Sequence, residues 1–122
     1  MVLPYTYADQ SPVLAAITSG AKQRSKATPL YSTQQLIGTI QRACRYPSTA
    51  LRQMQVGVVY VYFEVAENGT IESPEVVGTI SPELDEETVR VVKLLPAAIS
   101  PALLKGQPVR VSYVLPITWR FQ

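Results

Sequence analysis

The sequence contains no histidine and only one cysteine, Cys44, among its 122 residues. Histidine is the commonest general base near neutral pH and the commonest zinc ligand, so its absence argues against an enzyme or a zinc protein. Cys44 cannot form a disulfide within the chain, and it falls on the apolar face of a predicted helix, which favours a small buried side chain over a reactive thiol. No glycine spacing resembles a phosphate-binding loop. We therefore predict no catalytic site, no metal site and no cofactor.

Net charge and long apolar runs are also scarce. Eleven basic and nine acidic residues give a net charge of +2, which is too small to indicate nucleic-acid binding. No run approaches the ~20 apolar residues that a membrane helix needs, and residues 12–21 lack the basic segment that leads a signal peptide. We expect one folded domain, with no membrane anchor or convincing signal peptide in this chain.

The end of the chain has the clearest pattern in the sequence. Between residues 109 and 121 every odd position is large and apolar, whereas the even positions are mostly polar or small. A period of two over this length predicts a long strand with one buried face. The odd residues are Val109, Val111, Tyr113, Leu115, Ile117, Trp119 and Phe121.

The first part of the chain lacks such a pattern. Residues 1–30 are punctuated by prolines and sustain neither a helical nor a strand period, so we expect an arm that is poorly ordered, followed by a domain over residues 31–122. Ser32 and Gln35 form a capping-box signal for a helix that ends near Arg45, before Pro47. A short second helix is predicted to start at Ser48.

A hairpin and a third helix follow. Residues 57–65 alternate as a strand, Asn68-Gly69 favours a tight hairpin turn, and Pro74 marks the returning strand as an edge or bulged strand. Asp85 is predicted to cap a helix that Pro96 ends, and the nearby acidic residues fit a helix start better than a cation site. We therefore predict an α+β fold, with a three-stranded antiparallel sheet in the order 2-1-3 and helices on one face.

From about residue 32 to 121 the chain resembles the C-terminal domain of TonB, the energy transducer of Gram-negative envelopes, in the form common among Bacteroidetes. The resemblance is carried by the order and spacing of short motifs, each of which is weak alone. The matching residues are Tyr46, Pro47, Ala50, Gly57, Asn68, Gly69, Leu84, Asp85, Pro96 and Pro116.

This resemblance implies a periplasmic domain that grips the TonB box, a short extended peptide of an outer-membrane transporter, and so supports active transport across the outer membrane. The peptide would add as a strand beside the last strand, by β-augmentation. The implied binding edge consists of Val109, Arg110, Val111, Ser112, Tyr113 and Val114. Typical relatives are anchored in the inner membrane and are driven by a proton-channel motor complex, which would be a partner here if the full-length protein carries an anchor.

A second hypothesis is a stand-alone TonB-like module that works as an interaction adaptor or self-associates without energy coupling. Exposed sheet edges pair readily with copies of themselves, so a homodimer is the corresponding expectation. A peptide titration and a sizing column would separate the two hypotheses.

Overall fold

The computed structural model describes residues 2–17 and 28–121. Within these ranges the chain forms three helices, eight strands and one 3₁₀ turn at Tyr5–Tyr7. The helices are α1 (Thr33–Ala43), α2 (Ser48–Arg52) and α3 (Pro82–Val92). The strands are β1 (Leu3–Pro4), β2 (Leu14–Ala15), β3 (Pro29–Leu30), β4 (Gly57–Val65), β5 (Ile71–Gly78), β6 (Ala102–Leu104), β7 (Gln107–Val109) and β8 (Val111–Trp119).

The main sheet has the order β1-β8-β4-β5, with β4 between the two other long strands. Strands β4 and β8 pair antiparallel over nine residues, from Gly57 opposite Trp119 to Val65 opposite Val111. The α+β class is confirmed, but the described sheet has four strands and not three, because β1 joins it in parallel on the outer side of β8.

The core lies between this sheet and the helices. The alternating residues of β4 and β8 that point toward the helices are almost fully buried, whereas Tyr60 and Val114 on the other face remain about half exposed. Burial of large aliphatic and aromatic side chains is the main stabilising contribution in a domain of this size. The buried residues of the two strands are Val59, Val61, Phe63, Val65, Val111, Tyr113, Leu115, Ile117 and Trp119.

The first and third helices start with serine caps. The Ser32 side chain accepts a hydrogen bond from the Gln35 N–H, as the sequence predicts. The predicted start of the third helix at Asp85 is wrong: α3 begins at Pro82, and the Ser81 hydroxyl accepts from the Leu84 N–H at 3.3 Å. A serine cap followed by proline in the first turn is a stronger start signal than an aspartate inside that turn.

The hairpin between β4 and β5 differs from the predicted two-residue turn. The Gly69 N–H donates to the Ala66 carbonyl and the Ala66 N–H donates to the Thr70 carbonyl, so three residues form the loop. Of the three loop residues only Gly69 has a positive φ, of 91°, and the Asn68 side chain accepts from the Thr70 N–H. Asn68 thus stabilises a type I turn with a glycine bulge, which is the common three-residue hairpin.

The predicted thirteen-residue strand is also divided. Strands β6 and β7 form a small separate hairpin in the region predicted as loop, and Val109 belongs to it. Strand β8 therefore starts at Val111, after a break at Arg110.

The arm differs most from its prediction. In the described residues it packs on the domain: Leu14 and Ala15 are buried and pair with β3, and Val13 forms a bridge with Ser100. Residues 18–27 of the predicted arm lie outside the described residues. The division of the chain at residue 31 stays a prediction.

Replacing the cap of α3 tests the corrected helix start. Ser81→Ala removes the acceptor for the Leu84 N–H, so we expect the free energy of unfolding to fall by about 1 kcal/mol in urea titrations. Glu83→Ala, in the first turn of the same helix, leaves the Ser81 cap in place, so it is the control and should cost less. Equal stability of Ser81→Ala and the wild type would contradict the assigned cap.

Candidate functional site

The outer edge of β8 is the candidate site, and two hydrogen bonds establish which main-chain groups face it. The Thr118 N–H donates to the Gln41 side chain of α1 at 2.9 Å, and the Arg110 carbonyl accepts from the Leu3 N–H at 3.2 Å. Both groups therefore point away from β4. Because main-chain groups alternate along a strand, the N–H and C=O groups of the even residues between them also face outward.

The upper end of this edge is its N-terminal end, at Val111 and Ser112. It is occupied by another segment of the same chain. Leu3 lies opposite Val111 and Pro4 lies opposite Ser112 in the parallel register, which sets the Leu3 carbonyl toward the Ser112 N–H. The 3₁₀ turn that follows lays the Tyr5 ring on Tyr113, with centroids 4.3 Å apart and planes within 7°.

A side-chain contact also links this segment to the start of α1. The Tyr5 hydroxyl lies 3.2 Å from the Thr33 hydroxyl. A hollow of about 190 Å³ remains beneath the segment, lined in part by Tyr5, Leu14, Leu36 and Tyr113. The space next to the Tyr5 ring is thus incompletely filled, and Tyr5 itself stays half-buried.

The arm is held more firmly after this segment. The Asp9 and Gln10 N–H groups both donate to the Leu103 carbonyl, and Asp9 accepts from the Lys105 N–H at 2.7 Å. Leu14 and Ala15 are buried, whereas Leu3 and Tyr5 are only partly so and Pro4 is exposed. The arm therefore has a lightly packed tip on β8, residues 2–7, and a buried anchor beyond it.

The lower end of the edge is restricted as well. Pro116 faces outward and has no N–H, and the Thr118 N–H is taken by Gln41. In the part of the chain that the structure describes, the outward groups left without a strand partner are the N–H of Val114 and the carbonyls of Val114, Pro116 and Thr118. Natural sheets limit their edges in this way to avoid pairing with unintended strands.

The free energies of the available hydrogen bonds limit how strongly this short edge can bind a partner strand. Four main-chain hydrogen bonds contribute a net of roughly 2–6 kcal/mol, whereas association costs an estimated ~4–15 kcal/mol in lost freedom. The tip is itself held by few contacts, since two hydrogen bonds and one ring stack contribute roughly 1.5–4.5 kcal/mol. The open edge below the tip can thus supply only part of the free energy of binding a partner strand.

The residues of the predicted binding edge are therefore not equivalent. Val109 lies in another hairpin, Val111 and Tyr113 point into the core, and the edge at Ser112 is covered by β1. Of the predicted residues, only Val114 combines an outward main chain with no strand beside it in the described structure. The predicted set of binding-edge residues ended at Val114 and did not include the further residues of the edge, Pro116 and Thr118.

Arg110 is engaged inside the domain. Its guanidinium lies 2.9 Å from the Glu64 carboxylate and 2.7 Å from that of Glu72, and Glu67 is 3.7 Å away. The hydrogen bond from the Tyr62 hydroxyl lowers the pKa of Glu64 below its usual value, and Arg110 acts in the same direction. Arg110 thus ties the start of β8 to the β4–β5 hairpin and is not a free edge charge.

Most of the predicted motif residues are structural, and several surround Trp119. Tyr46 meets the Trp119 ring edge-on at 5.0 Å, and Ala50 and Leu84 are fully buried in the same cluster. The Trp119 indole N–H donates to the Thr88 hydroxyl at 3.2 Å. These contacts position the lower end of β8 against the helices.

The remaining motif residues shape turns and strand ends. Pro47 precedes α2, Pro96 follows α3, and Gly57 opens β4 with a φ of 145°. Asp85 accepts hydrogen bonds from the Ile80 N–H and from the Thr79 hydroxyl, and so holds the approach to α3.

Side-chain chemistry is limited in the described residues. No three histidine, cysteine, aspartate or glutamate side chains there come close enough together to hold a metal ion. Burial raises the pKa of Cys44 to about 12, and the nearby Glu87 carboxylate adds to this shift. The Cys44 thiol therefore stays neutral at physiological pH and is a poor nucleophile.

The reactivity of Cys44 can be measured with a disulfide reagent. We expect its reaction at pH 8 to be at least about 100-fold slower than that of an exposed thiol, because the thiolate fraction is very small at this pKa. Met54→Cys in a Cys44→Ser background supplies the exposed control, since Met54 is 69% exposed. Similar rates in the two proteins would contradict the raised pKa of the partly buried Cys44.

None of the helices that the structure describes is long and apolar enough to cross a membrane. Comparison with curated proteins gives no significant match. Among solved structures, two solution structures of the Helicobacter pylori TonB C-terminal domain share the fold. One matches at 22% identity with a TM-score of 0.56, over 86% of this chain and 98% of that one. The other matches at 19% identity with a TM-score of 0.52, over 74% of this chain and 95% of that one.

The family profile for the C-terminal region of Gram-negative bacterial TonB proteins matches residues 42–121. This segment contains β4, β5, α3 and the whole of β8. The chain therefore belongs to the TonB protein C-terminal family, whose domains serve energy transduction in transport.

Proposed function

We propose that this domain binds an extended segment of an outer-membrane transporter, the TonB box, by adding it as a strand to the outer edge of β8. The observation that carries the proposal is the row of outward main-chain groups from Val114 to Thr118, which has no strand beside it in the described residues. Domains of this family are periplasmic and not enzymatic, and they generally interact with TonB-dependent transporters.

The architecture suits a contact that must bear load. Strand β8 is paired with β4 over nine residues, and Trp119 fixes its end under the helices. A peptide on the other edge of β8 would form a ladder of main-chain hydrogen bonds, each worth a net ~0.5–1.5 kcal/mol. Pulling on the domain would then load several bonds of the ladder together, with the alternating side chains adjusting the choice of peptide.

Energy for transport would reach the domain from elsewhere in the protein. If the natural protein carries an inner-membrane anchor outside this sequence, the proton-channel motor complex of the inner membrane is the proposed second partner. A homodimer formed through the same edge is the competing arrangement, and a sizing column run with the peptide titration detects it.

A proline at position 114 tests the proposed edge. Val114→Pro removes an outward N–H that has no partner in the described part of the chain, so we expect the dissociation constant of a labelled TonB-box peptide to rise at least about tenfold in a fluorescence titration. Pro116 occupies an equivalent outward position in the same strand, so β8 tolerates proline there.

Val114→Thr is the matched control, because it keeps the N–H and the β-branched shape. It should bind the peptide like the wild type, and urea titrations should show both variants folded. If Val114→Pro and Val114→Thr bind the peptide equally well, the assignment of this edge is wrong. If no TonB-box peptide binds the wild type, the proposed function is wrong.

A further inference from the structure

We propose that the tip of the arm, residues 2–7, is a self-ligand that occupies the upper half of the β8 edge and must leave before a partner strand can bind at full length. The inference rests on the proposed function for the identity of the partner. The occupation itself rests on contacts within the chain.

The tip binds in the way that an added strand would. Its Leu3 N–H donates to the Arg110 carbonyl at 3.2 Å, and the parallel register places it along Val111 and Ser112. Its aromatic residue Tyr5 covers Tyr113, with ring centroids 4.3 Å apart. The tip therefore combines a main-chain ladder with one side-chain anchor, which are the two elements of recognition in β-augmentation.

The tip also ends the sheet on its own side. Leu3 directs its N–H toward β8, so the neighbouring position, Pro4, faces away from β8. Pro4 has no N–H, and a further strand would find no donor there. While the tip is seated, it therefore both covers the edge and prevents the sheet from growing.

The unequal packing of the arm makes the tip separable from its anchor. Leu3 and Tyr5 are half-buried, and Tyr7 is 69% exposed. Beyond the tip, Asp9 and Gln10 are bonded to β6 and its turn, and Leu14 is 2% exposed. The tip can lift at about Ala8 while the rest of the arm stays in place.

Release of the tip changes what the edge offers. With the tip seated, the Val114 N–H is the one outward donor of β8 without a partner among residues 2–17 and 28–121. With the tip lifted, the Ser112 N–H and the carbonyls of Arg110 and Ser112 become available, together with the exposed face of Tyr113. A partner with an extended main chain and an apolar or aromatic side chain over Tyr113 fits the vacated site.

Competition of this kind lowers the apparent affinity of the β8 edge for a partner strand, in proportion to the fraction of time that the edge is free of the tip. A tip that is seated for 90–99% of the time would weaken binding roughly 10- to 100-fold. Variants that unseat the tip should therefore bind an external strand more tightly, which is the opposite of the usual effect of a substitution near a site.

The test uses the full chain and a synthetic peptide of residues 1–9, labelled at its C-terminus, as the probe. Tyr5→Ala in the protein removes the ring stack and the hydroxyl contact, so we expect the peptide to bind this variant at least about tenfold more tightly than the wild type, measured by fluorescence anisotropy. Met54→Ala, which removes a 69% exposed side chain outside the arm and outside β8, is the control and should bind like the wild type. A peptide that itself carries Tyr5→Ala should bind the variant more weakly.

The amide resonance of Ser112 reports whether the tip is seated. It should shift in the double variant Leu3→Pro/Tyr5→Ala, which loses the hydrogen bond and the stack. An unchanged resonance, or a shifted resonance with unchanged peptide affinity, would overturn the proposal. Because the probe comes from this chain, a failure here is distinct from a failure to bind the transporter peptide.

Discussion

The antiparallel pairing of β4 with β8 is the constraint on which the rest of the structure depends. Nine residues of each strand are matched, and the alternation along both strands buries one face under the helices while the other stays open. The same alternation directs the main-chain groups: those of odd residues in β8 face β4, and those of even residues face outward. The β4–β8 register therefore determines both which side chains are buried and which main-chain groups face outward. A register shift of one residue would exchange the buried and exposed faces and the inward and outward groups. The cluster around Trp119 and the Arg110 ion pairs hold β8 in this register at its two ends.

The outer edge of β8 is then shortened by three separate devices. Residues of the arm cover its top, Pro116 removes a donor from its middle, and the Gln41 side chain takes the donor at its foot. An exposed strand is a hazard because any extended chain can pair with it. The edge that is useful for binding is thus also the edge that must be protected, and the weakest of the three protections is the one made by the chain's own tip. A domain built in this way can stay unpaired when no partner is present and still open a longer edge when a suitable strand arrives.

The sequence predicted those features that have a period or a local signal. The buried faces of β4 and β8 follow from alternation, and the serine cap of α1 follows from capping chemistry. The missing proline donor accounts for the register shift beside Pro74, where Tyr62 lies opposite Glu75 but Glu64 lies opposite Glu72. The start of α3 was misplaced because Asp85 resembles a cap, whereas Ser81 followed by Pro82 supplies the actual one. The two-residue strands β1, β2 and β3 were not predicted, since so short a segment has no period and is held by contacts from distant parts of the chain. The occupied edge could not be anticipated for the same reason: it depends on Leu3 meeting Arg110, more than one hundred positions away.

Residue-resolved amide hydrogen exchange along β8 tests the central claim most directly. The account predicts slow exchange at Tyr113, Leu115 and Ile117, whose N–H groups face β4. It predicts fast exchange at Val114, whose N–H faces outward and has no strand beside it in the described structure. On addition of a TonB-box peptide, exchange at Val114 and Ser112 should slow together, while the odd residues stay as they were. Slow exchange at Val114 in the free protein, or a peptide that protects residues of β5 and leaves Val114 unchanged, would contradict it.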